Sequence, residues 1–149
     1  MRPITAADHP FLFDLYASTR SDELAVTGWT AAQKTAFLQQ QFAAQHAHYA
    51  QFDHTTLDLL LADGEPIGRL YVRRAPDEIS IVDIALVPAA RNTGIATRLL
   101  GDLIAEAGRT STPLRTHVEK HNPAQRLYER LGFRVKEDRG VYWFLEHAP

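Results

Sequence analysis

The segment from Ile81 to Leu100, IVDIALVPAARNTGIATRLL, decides the fold. Its first half is apolar and β-branched, which suits a buried strand. Pro88 closes that strand, because proline has no amide hydrogen to donate to a sheet. A short polar loop follows. From Gly94 the period becomes helical, with Ile95, Leu99, Leu103 and Ala107 on one stripe and the helix running to about Ala107. A strand that passes through a loop straight into a helix leaves the first helical amides without intrahelical partners, and partial positive charge collects there. Helix ends of this kind bind phosphate. Gly94 lets a bulky diphosphate approach the backbone, and small Ala96 keeps the next position open. Arg91 can add a charge-assisted hydrogen bond, and Thr93 and Thr97 offer hydroxyls at the same rim. Taken alone, the glycine spacing suits an ordinary strand–turn–helix better than a ligand loop. It is not a Walker loop, which ends Gly-Lys-Ser/Thr. Nor is it a dinucleotide fingerprint, since a single glycine is present.

Upstream, Thr5-Ala6-Ala7-Asp8 is a capping signal, followed by Phe11, Leu12, Leu15 and Tyr16 at helical spacing. Ser21 to Gly28 reads as a loop. Thr30-Ala31-Ala32-Gln33 is a second capping box, opening a long helix that buries Leu38, Phe42, Tyr49 and Phe52. From residue 57 the period shortens. Leu57–Ala62, Ile67–Arg74 and Ile79–Val87 form an antiparallel meander, with turns at Asp63-Gly64-Glu65-Pro66 and Ala75-Pro76-Asp77. Downstream of the central helix, Leu114–Val118 is a strand. Asn122-Pro123 opens a helix that Gly132 ends, and Phe133–Lys136 with Val141–Leu145 close the chain as a hairpin. The reading is one α/β (α+β) domain over residues 1–149, with a mixed, mostly antiparallel sheet flanked by helices.

Bulk properties narrow the classes. The 149 residues suit one compact domain, and 45% apolar with 23% charged residues is ordinary for a soluble globular protein. A net charge of −2 argues against a nucleic-acid binder. The absence of cysteine excludes disulfides, thiolate metal sites and a cysteine nucleophile. The N-terminus lacks a signal-peptide pattern and no apolar run is long enough for a membrane, so a cytoplasmic location is expected.

Two motifs together are more specific than either alone. Val87-Pro88 followed by Arg91-Asn92-Thr93-Gly94-Ile95-Ala96 resembles the cofactor motif of the GNAT acetyltransferase family. About thirty residues later, Asn122-Pro123-Ala124-Gln125-Arg126-Leu127-Tyr128-Glu129-Arg130-Leu131-Gly132-Phe133 resembles the family's second signature, Asn-x-x-Ala-x-x-Leu-Tyr-x-x-x-Gly-Phe. Ala96 stands where glycine is commoner. The likeness extends over residues 55 to 147, and reaches the two N-terminal helices by position only. It implies acetyl-CoA as co-substrate, with no metal. Backbone groups of Leu86 and Val87 would pair with the pantetheine arm. Amides from Asn92 through Thr93, Gly94, Ile95 and Ala96 to Thr97, with Arg91, would hold the pyrophosphate. Asn122 would hydrogen-bond the pantetheine region, and Ala124 would leave room beside it.

The resemblance also implies that Tyr128 is a general acid toward the leaving sulfur. A thiol titrates near ~8.5 and a phenol near ~10, so a phenol can donate to a departing thiolate while itself neutral. The alternative is that Tyr128 packs as core with Leu127 and Leu131. Asp83, a lone carboxylate inside an apolar strand, is the candidate general base, because desolvation would raise its pKa. Its alternatives are a structural ion pair with Arg69 or Arg115, or a water-exposed edge. Glu78 is the rival base. His46, His48 and His54 cluster, and His117 and His121 lie four apart on a strand and its exit loop. Neither group has a metal-ligand pattern. The region of Arg20, Asp22, Glu23 and Trp29 is expected to border the acceptor site. The expected activity is N-acetyl transfer to a small-molecule or peptide amine by direct attack, with a second copy of the chain as a further candidate partner. The competing reading is a non-catalytic acyl-CoA binding or sensing module.

Overall fold

A computed structural model describes residues 1–149. Seven strands form one sheet: β1 (Arg2–Pro3), β2 (Thr55–Ala62), β3 (Glu65–Arg74), β4 (Ile79–Leu86), β5 (Leu114–Glu119), β6 (Arg134–Arg139) and β7 (Tyr142–His147). Their order in space is β1-β2-β3-β4-β5-β7-β6. Four helices cover it: α1 (His9–Ala25), α2 (Ala31–Ala50), α3 (Ile95–Thr110) and α4 (Ala124–Arg130). The expected order of elements holds, with β1 as an addition. No helix is long and apolar enough to cross a membrane.

Local chemistry explains the element ends. Thr30 and Gln33 exchange hydrogen bonds at 2.8 and 3.2 Å, closing the capping box that starts α2. Asp8 accepts the Thr5 amide at 2.8 Å ahead of α1 and is gripped by both ends of the Arg2 guanidinium. These bonds hold its carboxyl well below the usual range. They also fasten β1, whose two residues pair with Leu59 and Asp58 of β2. Asp63 and Gly64 both have positive φ, the geometry of a tight hairpin turn, so the turn is shorter than expected and β3 begins at Glu65.

The loop expected over Ser21–Gly28 is corrected in its first half, since α1 continues to Ala25. Leu24 is buried against Tyr16 and Phe42, Arg20 pairs with Glu23 one turn on, and the Ser18, Thr19 and Ser21 hydroxyls bond back to carbonyls three residues earlier. Tertiary burial of one leucine outweighs the weak helix preference of the serines.

Strand alternation sends side chains to two cores. Leu70, Val72, Ile79 and Ile81 face α3 and α4, meeting Leu100, Leu103 and Phe133. Leu59 faces the opposite side, where Leu12, Leu38 and Phe42 of α1 and α2 cover it. Every strand pair is antiparallel except β4 with β5, which run parallel. That parallel pairing covers only Ile79 with Leu114, Ser80 with Arg115 and Ile81 with Thr116. Beyond it β4 continues to Leu86 and β5 to Glu119 without meeting.

Gly68 holds β3 against the far end of β4, opposite Leu86. A Cβ at this position would collide with the Ala85 carbonyl and stand 2.9 Å from Leu86 Cδ2. Gly68→Ala therefore lowers stability by roughly 1–3 kcal/mol, the usual range for overpacking. The check is a fall in the urea midpoint with an unchanged m-value.

Candidate active site

Where β4 and β5 part, the sheet opens into a cleft of about 380 Å³. Ile81–Ile84 form one wall and Thr116–Glu119 the other. Asn122, Ala124 and Tyr128 line it from the start of α4, Gln45 and Tyr49 from α2, Arg20 from α1 and Tyr142 from β7. At the fork itself, the buried Thr116 hydroxyl donates to the Ile81 carbonyl at 3.1 Å.

Tyr128 is 4% exposed, stacked edge-on to Phe133 at 5.1 Å. Burial pushes its phenol up to about 12; the Asp83 charge adds to the rise and the neighbouring Thr116 hydroxyl opposes it. The hydroxyl is thus a neutral donor across the physiological range. The core packing read from the sequence is present, and the same side chain also lines the cleft.

Asp83 reaches the same cleft with its side chain 23% exposed, and it forms an ion pair with Arg69. Of the two structural partners considered, Arg69 is the one in contact. Arg115 is taken up by Glu78 at 2.7 Å and Glu146 at 2.8 Å. Glu78, the rival base, is thus engaged by Arg115 and does not line the cleft. Tyr49 stands beside these groups, its phenol pushed up to about 12 by burial and by the Asp83 charge.

At the far end of β4 lies the loop before α3. Asn92 and Gly94 both adopt left-handed backbone, at φ 60° and 86°. Successive turns of this kind point amides to one side as a concave nest. No amide from Asn92 through Thr97 has a partner within the chain; the first helical bond is Arg98 N to Gly94 O at 3.1 Å. The need for glycine at 94 is conformational, because a Cβ there would meet nothing within 4 Å. The Thr93 hydroxyl is occupied by the Ala90 carbonyl at 2.6 Å. Arg91 bends back, its Nε donating to the Leu86 carbonyl at 3.1 Å and its Nη2 to Ser18 of α1 at 3.4 Å. Asn122 accepts the Ala124 amide at 2.9 Å through Oδ1, which leaves its own NH2 group for other partners.

Several residues fall where the sequence did not put them. Trp29 packs on Phe37 at 5.2 Å in a separate shallow depression at the start of α2, away from the cleft. Arg20 does line the cleft and sits 3.6 Å from Glu119. Glu23, Glu119 and His121 come together, with Arg20 and His121 already pairing their carboxylates. His46 packs against His9 at 4.7 Å, and burial lowers its pKa. Gln45, Tyr49, Arg69, Thr116 and Tyr142 were not anticipated as site residues. The four-residue spacing of Gln45 and Tyr49 places them on one helix face, but periodicity does not say what that face meets.

Comparison with known proteins agrees with this fold. The sequence matches the acetyltransferase (GNAT) family over residues 13–133, and the chain belongs to that family. Among solved structures, the PaiA N-acetyltransferase from Thermoplasma acidophilum in complex with coenzyme A is similar at TM-score 0.74 and 14% identity. That alignment covers 99% of this chain and 97% of the other. An acetyltransferase from Thermus thermophilus aligns at TM-score 0.68 and 21% identity, over 99% and 95% of the two chains. A GNAT acetyltransferase from Elizabethkingia anophelis with acetyl-CoA bound aligns at TM-score 0.60 and 20% identity, over 71% and 82%. These likenesses bear on the fold. A search of curated proteins found no match.

The free amides before α3 make an anion the expected ligand of the loop. Pyrophosphate should raise the melting temperature of the wild type by mass action. Gly94→Glu, which sets a carboxylate among those amides in a strained conformation, should lose the rise. Equal shifts in both proteins would rule out this anion site.

Proposed function

We propose that this chain transfers an acetyl group from acetyl-CoA to a primary amine by direct attack in a ternary complex. The observation that carries the reading is the meeting of a buried neutral phenol, Tyr128, and a carboxylate, Asp83, in one cleft on the path between unpaired strand edges and a loop of free amides. The amides from Asn92 to Thr97 suit the pyrophosphate. Arg91 would join them by releasing Ser18. The edge of β4 that β5 leaves unpaired suits the amide groups of the pantetheine arm as far as Leu86 and Val87. There the Leu86 carbonyl is shared with Arg91 Nε and the Val87 amide stays on the Ile67 carbonyl. Asn122 donates to the arm through its free NH2, and Ala124 gives clearance. Acetyl-CoA bound in this way presents its thioester at the fork.

An acceptor amine arrives as an ammonium, and Asp83 is the anion in the cleft that can receive it and take its proton. The freed lone pair attacks the thioester carbon, the carbon–sulfur bond breaks, and nitrogen loses its second proton to solvent. Tyr128 donates to the sulfur as charge develops there. Complete transfer from a phenol at about 12 to the thiolate of a thiol near ~8.5 is uphill. The hydroxyl therefore acts first as a hydrogen-bond donor, and its proton follows as solvent replaces it. Holding both reactants in one cleft supplies the larger share of the acceleration. The assay is thiol release from acetyl-CoA with n-butylamine, spermidine, free α-amino acids and tripeptide amides. A binding module would show acetyl-CoA binding and no release with any of them.

Tyr128→Phe keeps the ring against Phe133 and removes only the hydroxyl. It should lower kcat by about 10²–10⁴-fold without a matching rise in KM and with little loss of stability. Unchanged kcat would take Tyr128 out of the chemistry.

Asp83→Asn should lose most rate below the acceptor's own pKa and recover as pH rises and the amine arrives already neutral. A loss of equal size at every pH, parallel to a drop in melting temperature, would make Asp83 a structural residue.

A further inference from the structure

Asp83 reaches the cleft on the support of a side chain that lies behind it. Arg69 of β3 is 4% exposed and does not line the cleft. Its guanidinium meets the Asp83 carboxylate, Gln45 Oε1 of α2 at 3.1 Å and the face of the Tyr71 ring at 5.1 Å. Two buried side-chain polar atoms of this cluster, Arg69 Nε and Tyr71 Oη, have no hydrogen-bond partner, and the buried Asp83 Oδ2 has none beyond its ion pair with Arg69 Nη2. A core ordinarily satisfies such atoms or does without them. A buried ion pair is a poor device for stability alone, because apolar residues of like volume often serve as well or better. What such a pair supplies is a defined geometry. Asp83 needs one, since its neighbours Val82 and Ile84 are apolar and no amide or hydroxyl donates to its carboxylate.

We propose that Arg69 is a positioning residue: it holds the Asp83 carboxylate toward the arriving acceptor amine, and Gln45 braces the Arg69 guanidinium from α2. The inference rests on the reading of Asp83 as the group that receives the acceptor. It makes the α2 side of the sheet a determinant of acceptor turnover and leaves acetyl-CoA binding to the loop before α3 and the start of α4. Arg69→Lys keeps the charge but loses the planar guanidinium that lies over Tyr71 and whose Nη2 meets both Asp83 and Gln45, so the two residues are not interchangeable here.

The test is a double-mutant cycle on the full chain, using acetyl-CoA and whichever amine of the panel above turns over fastest. Arg69→Gln should lower kcat/KM for the amine by about 10–100-fold, as small misplacements of a reacting group do, with the KM for acetyl-CoA held within about twofold. In an Asp83→Asn background the same substitution should be nearly silent, because the group it positions is gone. Arg69→Lys should recover part of the loss. Gln45→Ala, which leaves the pair in the core and keeps the fold if Arg69→Gln does not, should show a smaller loss confined to the amine and silent beside Asp83→Asn. Additive losses in the cycle would overturn the proposal while leaving the role of Asp83 intact. So would losses that track melting temperature and affect both substrates alike, or an unchanged Gln45→Ala. Wild-type turnover in Asp83→Asn alone would instead overturn the reading of Asp83, and the Arg69 proposal with it.

Discussion

Three parallel rungs, from Ile79 with Leu114 to Ile81 with Thr116, join the two halves of the sheet. On one side stand β1 to β4, on the other β5, β7 and β6, each half bound internally by antiparallel ladders. The shortness of the junction matters as much as its presence. Had the ladder continued, the backbone groups of β4 and β5 would satisfy one another and the middle of the sheet would be closed. Because it stops, each strand has an unpaired edge facing the other. Backbone polar groups need partners, so an opening of this kind is a place for water or a ligand rather than for side-chain packing.

The surrounding architecture keeps the fork from closing. Val118 and Tyr128 anchor the β5 side in the α3–α4 core, while Leu70, Val72 and Ile81 anchor the β4 side in the same core. On the opposite face, α2 brings Gln45 and Tyr49 to the opening, and Arg20 of α1 reaches Glu119 of β5 across it. The cleft therefore has rigid walls from the sheet and a polar cover from the two N-terminal helices. Polar groups are unevenly shared along β4 and the loop that follows it. Free amides gather before α3, where an anion is favoured. The neutral phenols of Tyr49 and Tyr128 and the carboxylate of Asp83 gather near the fork.

Much of this was legible in the chain. The order of strands and helices followed from the change of period at residue 57 and from Pro88, Thr30 and Gly132 acting as local punctuation. These signals depend on neighbours within a few residues, which sequence displays directly. The loop of free amides was legible for the same reason, since a strand, a left-handed glycine and a helix start are consecutive. Other local readings missed: the helix through Ser21–Ala25, rescued by the distant packing of Leu24; β1, which is held by Arg2 gripping Asp8 and by pairing with β2; the turn after Ala62, which is shorter than expected; and Phe52, which lies beyond the end of α2 and is exposed rather than buried.

By itself, then, the sequence determined the elements, their order, the strand–loop–helix with its glycine before α3, and the presence of a tyrosine and a lone strand carboxylate. Only the tertiary structure decided that Asp83 pairs with Arg69 and not Arg115, that Tyr49 and Gln45 enter the cleft while Trp29 stays outside it, and that β4 and β5 separate after Ile81 and Thr116. The reason is physical. Propensity and capping act through bonds between near neighbours, whereas the separation of two strands is set by the packing of residues distant in the chain, whose contact no local pattern encodes.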